Sequence, residues 1–311
     1  MRVFVAGATG AVGSRLVPLL VAAGHRVAGT SRSETRLGAI ERAGATGVVM
    51  DPGDADSVRR AVLESAPEVV VHELTALGGP MPDFRRFDEG FAATNELRTR
   101  GTDHLLAAAA EVGGVRFIAQ SFTGWPNERT GGPVKTEEDP LDPTPTGPSR
   151  QTLAAIRYLE SVTTEVGGLA VRYGGLYGPG QLLGRGGQIV EMVRARRLPV
   201  VGGGAGVWSF CHIEDAASAT AAAVTRGAPG AYNIVDDEPA PVSEWLPDLT
   251  GVLGAKPPLR IPAWVARPLL GEHGIAMMTT VRGSSNAKAK RELGWQPRYE
   301  TWRRGFREGL G

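Results

Sequence analysis

The stretch Val3-Phe4-Val5-Ala6-Gly7-Ala8-Thr9-Gly10-Ala11-Val12-Gly13 opens the chain and decides its reading. Val3 to Ala6 has no polar face, as expected of a buried strand. Glycines follow at 7, 10 and 13, and Leu16, Leu19 and Leu20 then recur at helical spacing. Strand, tight glycine turn and helix N-terminus together make a cradle for a pyrophosphate. Gly7 permits the turn, Gly10 lets the backbone approach the phosphates, and Gly13 lets helix and strand pack closely. The context on both sides points to dinucleotide binding rather than an isolated turn, with Thr9, Ala11 and Val12 completing the contact set.

Outward from this stretch the chain alternates strand and helix, which predicts a parallel sheet with helices on both faces. A helix over residues 11–23 leads to a second strand, His25 to Thr30. An acidic residue at its end would take the adenosine ribose hydroxyls of NAD. The chain instead has Thr30-Ser31-Arg32-Ser33. Ser31 and Arg32 can hydrogen-bond and neutralise a 2′-phosphate, so NADP(H) is favoured over NAD(H). Val48 to Met50 is the third strand, and Asp51 after it is placed for the adenine amino group or is simply a turn residue. Asp54 reads as a helix cap.

Val69 to Val71 is the fourth strand, and Leu74, Thr75 and Ala76 lie at its carboxyl end, where such a sheet binds ligand. Residues 84–112 read as one long helix whose buried face is interrupted by Asn95, which is expected to hydrogen-bond into the neighbouring loop and is counted with Gln120 in the cofactor set. Val115 to Ala119 is the fifth strand, running into Gln120, Ser121 and Thr123. The two hydroxyls are candidates to polarise a substrate oxygen, with a plain strand-end hydrogen bond as the alternative. Residues 124–148 hold six prolines and form a long loop read as part of the substrate mouth, with Trp125 and Lys135 as contacts. A helix over 150–165 precedes a sixth strand, Leu169 to Arg172. Tyr173 to Gly180 reads as a glycine-rich exit loop suited to lie over a nicotinamide ring, with Tyr173 and Gly175 in the cofactor set. Residues 262–270, with Trp264, Val265, Leu269 and Leu270, read as the core of a smaller lobe or as an apolar substrate wall.

The chain has 311 residues and a net charge of +1, so no electrostatic footprint for nucleic acid or an acidic membrane is present. Its single cysteine, Cys211, excludes an internal disulfide and reads as core packing. The histidines at 25, 72, 104, 212 and 273 show no ligand spacing, so no metal site is expected. Arg2 runs at once into the first strand, which leaves no room for a signal peptide, and no apolar run approaches the ~20 residues of a membrane span. A cytoplasmic location follows as an expectation.

Several motifs together resemble the extended short-chain dehydrogenase/reductase family, which contains nucleotide-sugar epimerases and dehydratases. They are the Gly7/Gly10/Gly13 turn, Asp51, Asn95, the run Arg172 to Gly178, Phe210 to Ala217, and the ending Ala289 to Pro297. The resemblance spans nearly the whole chain. It implies a Rossmann-type doubly wound sheet over residues 1–172, completed by about 208–236, and a smaller, mainly helical substrate lobe over 173–311. It also implies a homodimer through the helices at 84–112 and 150–165. The family's catalytic pair is a Tyr with a Lys four residues on and a Glu four further. Setting Glu160 on that Glu puts Thr152 at the Tyr and Ile156 at the Lys, and the family's Ser/Thr falls on Phe122. Tyr158 does not rescue the pair, since Val162 lies four residues later and no lysine lies between Lys135 and Lys256.

Without that pair, sugar epimerisation loses its proton path. Three readings stay open. One is an NADP(H)-dependent reductase of a carbonyl or conjugated double bond in a non-sugar metabolite, protonated by solvent, Ser121, Thr123 or Tyr177. Another is a non-catalytic cofactor-binding redox sensor. The last is a nucleotide-sugar enzyme with displaced catalytic groups.

Overall fold

The computed structural model describes residues 1–311. The first half alternates as the apolar pattern predicts. β1 (Arg2–Ala6), α1 (Gly13–Ala22), β2 (Arg26–Ser31), α2 (Leu37–Arg42), β3 (Thr46–Val49), α3 (Ala55–Ser65) and β4 (Val69–His72) follow one another. α4 (Phe87–Glu96) and α5 (Thr102–Val112) precede β5 (Arg116–Phe122). Then come β6 (Val134–Lys135), α6 (Arg150–Glu165), β7 (Leu169–Tyr173), β8 (Gly175–Tyr177), α7 (Gln188–Arg194) and β9 (Val200–Val201). β10 (Val207–Trp208), β11 (Phe210–His212), α8 (Ile213–Ala223) and β12 (Gly230–Ile234) lead to α9 (Val242–Val252), α10 (Ala263–Thr279) and two short C-terminal helices.

Seven strands form one sheet in the order β12-β7-β5-β4-β1-β2-β3, and every pairing in it is parallel. The order reverses between β1 and β4, so the crevice at their carboxyl ends is the ligand position of this Rossmann-type fold. Alternation along each strand builds the two faces. Val3, Val5, Val69, Val71, Ile118 and Val171 pack under α1 and α8, whereas Phe4, Val70, Phe117 and Ala119 pack under α3, α5 and α6. A separate core around Trp245, Phe210, Trp302 and Phe306 fills the C-terminal part.

Four expectations need correction. Residues 84–112 are not one α-helix: Phe84–Arg86 is a 3₁₀ turn, and Leu97–Gly101 is a π-helical turn between α4 and α5. The 3.6-residue pattern runs through that wider turn and hides it. β5 extends to Phe122, so Gln120 and Ser121 lie inside the strand. The segment read as an exit loop is largely strand, because Tyr173 ends β7 and Gly175–Tyr177 pairs with β11. Finally, Trp264 (78 % exposed), Leu269 (73 %) and Val265 (41 %) face outward instead of filling the small-lobe core. α10 is broken at Gly271 (φ 65°), so only its second half is laid fully against the body of the protein, through His273, Gly274, Ala276 and Met278.

Candidate functional site

The cradle follows from backbone geometry. Gly7 has φ 92°, and a Cβ there would lie 2.7 Å from the Glu73 carbonyl oxygen, so only glycine lets the β1 turn touch the end of β4. At Gly13 a Cβ would lie 2.2 Å from the Gly7 carbonyl oxygen, with no side chain available to move. Gly7 N–H donates to Thr30 Oγ1 on β2 (3.1 Å), which fixes the turn. α1 starts without a side-chain cap, and the N–H groups of Ala11, Val12 and Gly13 donate to no other backbone oxygen. Gly10 and Ala11 are exposed. Free N–H groups at a helix N-terminus, on a surface cleared of side chains, fit a dinucleotide's pyrophosphate.

The register Ala6↔His72↔Ala119 and Ser121↔Arg172 brings the ends of β1, β4, β5 and β7 to one edge. Leu74, Thr75, Gln120 and Gly175 lie there partly exposed, and Ala76 is exposed. His72 organises this edge. It is wholly buried; its Nδ1 accepts from Leu74 N–H (3.2 Å), which puts the proton on Nε2, facing the Leu97 carbonyl (3.3 Å) and Thr102 Oγ1 (3.1 Å). Burial pushes its pKa down to about 4, so it stays neutral. It ties the cofactor-side loop to the π-helical turn. At the other end of the cradle Ser31 is buried and accepts from Ser33 N–H (3.2 Å), while Arg32 is exposed and makes no hydrogen bond or ion pair. Asp51 is exposed and caps its own turn through Gly53 N–H (2.9 Å).

The candidate proton donors are either engaged elsewhere or buried. Ser121 Oγ donates to Glu160 Oε1 (2.6 Å), and Arg172 grips the same carboxylate from Nε (2.8 Å) and Nη2 (2.6 Å), all three residues being buried. Thr123 Oγ1 shares a hydrogen bond with Ser284 Oγ (2.6 Å) beside Asn127. Tyr177 is fully buried in the second core, its hydroxyl against Gly305, and burial holds its pKa far above the usual phenol value. Tyr173, placed in the cofactor set by sequence, points into the α1/α8 face and donates to Glu73 Oε1 (2.6 Å).

The face of α6 that would carry an acid is a closed wall. Thr152 Oγ1 donates to Asp88 Oδ1 (2.6 Å) and accepts from Asn95 Nδ2 (3.1 Å), so Asn95 bonds to a helix rather than to a neighbouring loop. Asp88 also accepts from the N–H groups of Gln151 and Thr152 and thereby caps α6 from a different helix. Ile156 is fully buried with Phe87, Trp125, Leu153 and Val281. Trp125, expected at the substrate mouth, belongs to this wall. Lys135 is buried and faces Asp139 (3.1 Å) and Glu128 (3.9 Å). The proline-rich segment carrying it is strapped to Gly283–Ser284 by β6.

Sequence reasoning missed Glu73, Asp88 and Arg98. Glu73 follows β4 directly; burial raises its pKa to about 8, against the opposing pull of the Tyr173 hydrogen bond. Arg98 carried the one available signal, a charged residue on the same inward stripe as the half-buried Phe91 and Asn95.

A family model for the NAD dependent epimerase/dehydratase family matches residues 3–235. The chain belongs to this family and is an NAD(P)-dependent oxidoreductase of the extended short-chain dehydrogenase/reductase class. A Streptomyces protein named 3-diazoavenalumate denitrifying reductase is 43 % identical over all of this chain and 99 % of its own. A 2-alkyl-3-oxoalkanoate reductase of Stenotrophomonas maltophilia is 28 % identical, covering 82 % of this chain and 76 % of its own. Among solved structures, UDP-glucose 4-epimerase of Thermotoga maritima superposes with TM-score 0.76 at 20 % identity, over 100 % of this chain and 97 % of that one. A human epimerase family protein crystallised with NADPH gives 0.74 at 19 %, over 100 % and 99 %. At those identities the likeness concerns the fold.

Proposed function

We propose that this protein is an NADP(H)-dependent reductase of a non-sugar aromatic diazo compound, replacing the diazo group by hydrogen with release of N₂. The observation that carries the reading is the closed, acid-free face of α6. Thr152 is bonded to Asp88 and Ile156 is sealed among Phe87, Trp125, Leu153 and Val281. Ser121, Thr123 and Tyr177 are engaged or buried as well.

When bound, the nicotinamide supplies a hydride. Reduction of a carbonyl or conjugated double bond must also place a proton on the acceptor, which is the task of a general acid. The change Ar–N₂⁺ + H⁻ → Ar–H + N₂ balances in atoms and charge with no proton, and the loss of N₂ drives it. A wall without an acid is therefore suited to this acceptor and poorly suited to a ketone. The dry aromatic surface would also exclude the water that hydrolyses diazonium groups. The Streptomyces relative, named for a denitrifying reduction, supports the same chemistry.

The NADP(H) preference rests on Arg32, exposed and unpaired at the end of β2 with Ser31 beside it. Ser121, Thr123 and Tyr177 are assigned to structure in this reading. The homodimer through α4–α6 stays part of it, and a monomeric mass by light scattering would remove it.

The test mixes the purified protein with NADPH deuterated at the transferable position and a hydroxyarenediazonium salt, following absorbance at 340 nm and headspace N₂ against an enzyme-free blank. NADPH oxidation matched by N₂ release, and weakened about tenfold in NADPH affinity by Arg32→Ala, is expected. Turnover of ketones or enones with none of the diazonium would overturn the assignment.

A further inference from the structure

Arg98 is the one guanidinium of this chain buried without a counter-ion in contact. It is 5 % exposed, and its Nε and Nη1 have no hydrogen-bond partner. Burial lowers its pKa to about 10, offset in part by the more distant Glu160, so it is charged at neutral pH. The nearby carboxylate is not free to help. Glu160 already takes Ser121 and both arms of Arg172. One turn earlier, Asn95 Oδ1 is likewise buried without a partner.

A buried cation without a partner costs several kcal/mol, and arginine cannot escape by losing its proton. A fold retains such a group where something outside the chain completes it. Two further features place that something. Arg98 sits in the π-helical turn Leu97–Gly101, which His72 fastens to the carboxyl end of β4, beside the cofactor edge. π-Helical turns of this kind recur at functional sites. The row of side chains leading away from Arg98 is aromatic, with Phe91 half-buried at its near end and Phe87 and Trp125 buried behind it. The Arg98 guanidinium lies 5.9 Å from the Phe91 ring centre, Phe91 stacks on Phe87 at 4.3 Å, and Phe87 meets Trp125 edge-on at 5.4 Å.

We propose that Arg98 is a specificity residue that anchors the carboxylate of an aromatic acid substrate, whose ring lies beside Phe91, the half-buried end of this aromatic row. The assignment rests on the reading of this edge as a reductase site. It adds a requirement which diazo chemistry alone does not impose, namely an anionic group at one end of the ring.

The test uses an inert probe. Full-length protein saturated with NADP⁺ is titrated by calorimetry with trans-cinnamate and with neutral cinnamamide, for wild type, Arg98→Met and Arg98→Lys. Wild type is expected to bind the acid at least tenfold more tightly than the amide. Arg98→Met should erase that preference without weakening NADP⁺ binding, and Arg98→Lys should keep part of it. The melting temperature of unliganded Arg98→Met should not fall, because removing an unpaired buried charge relieves the fold. An unchanged preference in Arg98→Met, or none in wild type, overturns the proposal. So does weaker NADP⁺ binding with the acid preference intact, which would give the guanidinium to the cofactor. A lowered melting temperature with ligand preference intact would make Arg98 a packing residue. Should Arg98→Met fail to fold, Arg98→Lys and the wild-type preference decide. Carboxylate preference without N₂ release from a diazonium acid would refute the reaction while leaving the anchor standing.

Discussion

Two glycine-to-alanine changes three residues apart in the cradle should fail in opposite ways. At Gly13 the new methyl would sit 2.2 Å from the Gly7 carbonyl oxygen and 2.9 Å from Ala8 Cα. Both are backbone atoms, so the turn itself must move, and overpacking of this kind costs up to about 3 kcal/mol. For a chain of this size roughly 2 °C of melting temperature goes with each kcal/mol, giving a loss of about 6 °C in the free protein. At Gly10 the nearest atom to a new Cβ is the Gly7 carbonyl oxygen at 3.1 Å, and φ is not left-handed. Folding should change by less than about 1 kcal/mol there. The methyl would instead stand where the backbone must meet a diphosphate, and NADPH affinity should drop about 10- to 100-fold. Melting curves with and without NADPH separate the two. Ligand at 100 times Kd adds about 2.7 kcal/mol, or about 5 °C, to wild type. Gly10→Ala should melt like wild type when free and keep only about 1 to 3 °C of that increment, whereas Gly13→Ala should already melt low when free. An unshifted free Gly13→Ala, or a full NADPH increment in Gly10→Ala, would refute the cradle as described.

Three further outcomes follow from the packing. Glu160→Gln leaves Arg172 buried without its counter-ion and should cost about 3–5 kcal/mol, read from urea unfolding; an unmoved midpoint would contradict the pairing. Glu73 holds its proton in the folded state up to about pH 8 and in the unfolded state only to about 4.5. Its contribution is therefore complete below pH 4.5 and is lost as pH rises towards 8, by at most about 1.4 kcal/mol per pH unit. Glu73→Gln should flatten the fall in melting temperature between pH 5 and pH 8, and parallel curves for the two proteins would count against a buried acid. Trp264→Ser removes an exposed ring and should change stability by no more than about 0.5 kcal/mol, measured by the same urea titration; a larger loss would mean that this half of α10 is covered.

What the sequence disclosed depended on how local the cause was. A cradle whose selectivity lies in missing side chains is written in glycines three residues apart. Parallel strands buried on both faces appear as unbroken runs such as Val69-Val70-Val71. α6 was legible to its end residues, because Pro148 closes the loop before it and Gly167 ends it. The partners of the candidate proton donors were not legible because they are remote in sequence. Ser121 finds Glu160 39 residues on, and Thr123 finds Ser284 161 residues on. The apolar stripe at Trp264 and Leu269 reads as core or as a substrate wall because amphipathicity records a face without recording what covers it, and the break at Gly271 separates that face from the one packed by His273 and Met278.

The loss at positions 152 and 156 has a coherent physical form that composition alone does not reveal. Thr152 and Ile156 are two members of one rebuilt surface, in which Asp88 takes over the helix cap and Phe87, Trp125 and Val281 close around the isoleucine. Here Thr152 Oγ1 is satisfied twice and Ile156 has no exposed surface. Buried polar atoms without a partner surround this face: Oδ1 of the Asn95 amide that bonds Thr152, His273 Nε2 against Phe87 and Trp125, and the Arg98 guanidinium on the π-helical turn. On the proposed reading, the acceptor's charge would meet Arg98 on the π-helical turn while position 152 on α6 offers no acid. That arrangement suits an acceptor held by its charge that needs no acid to finish the reaction.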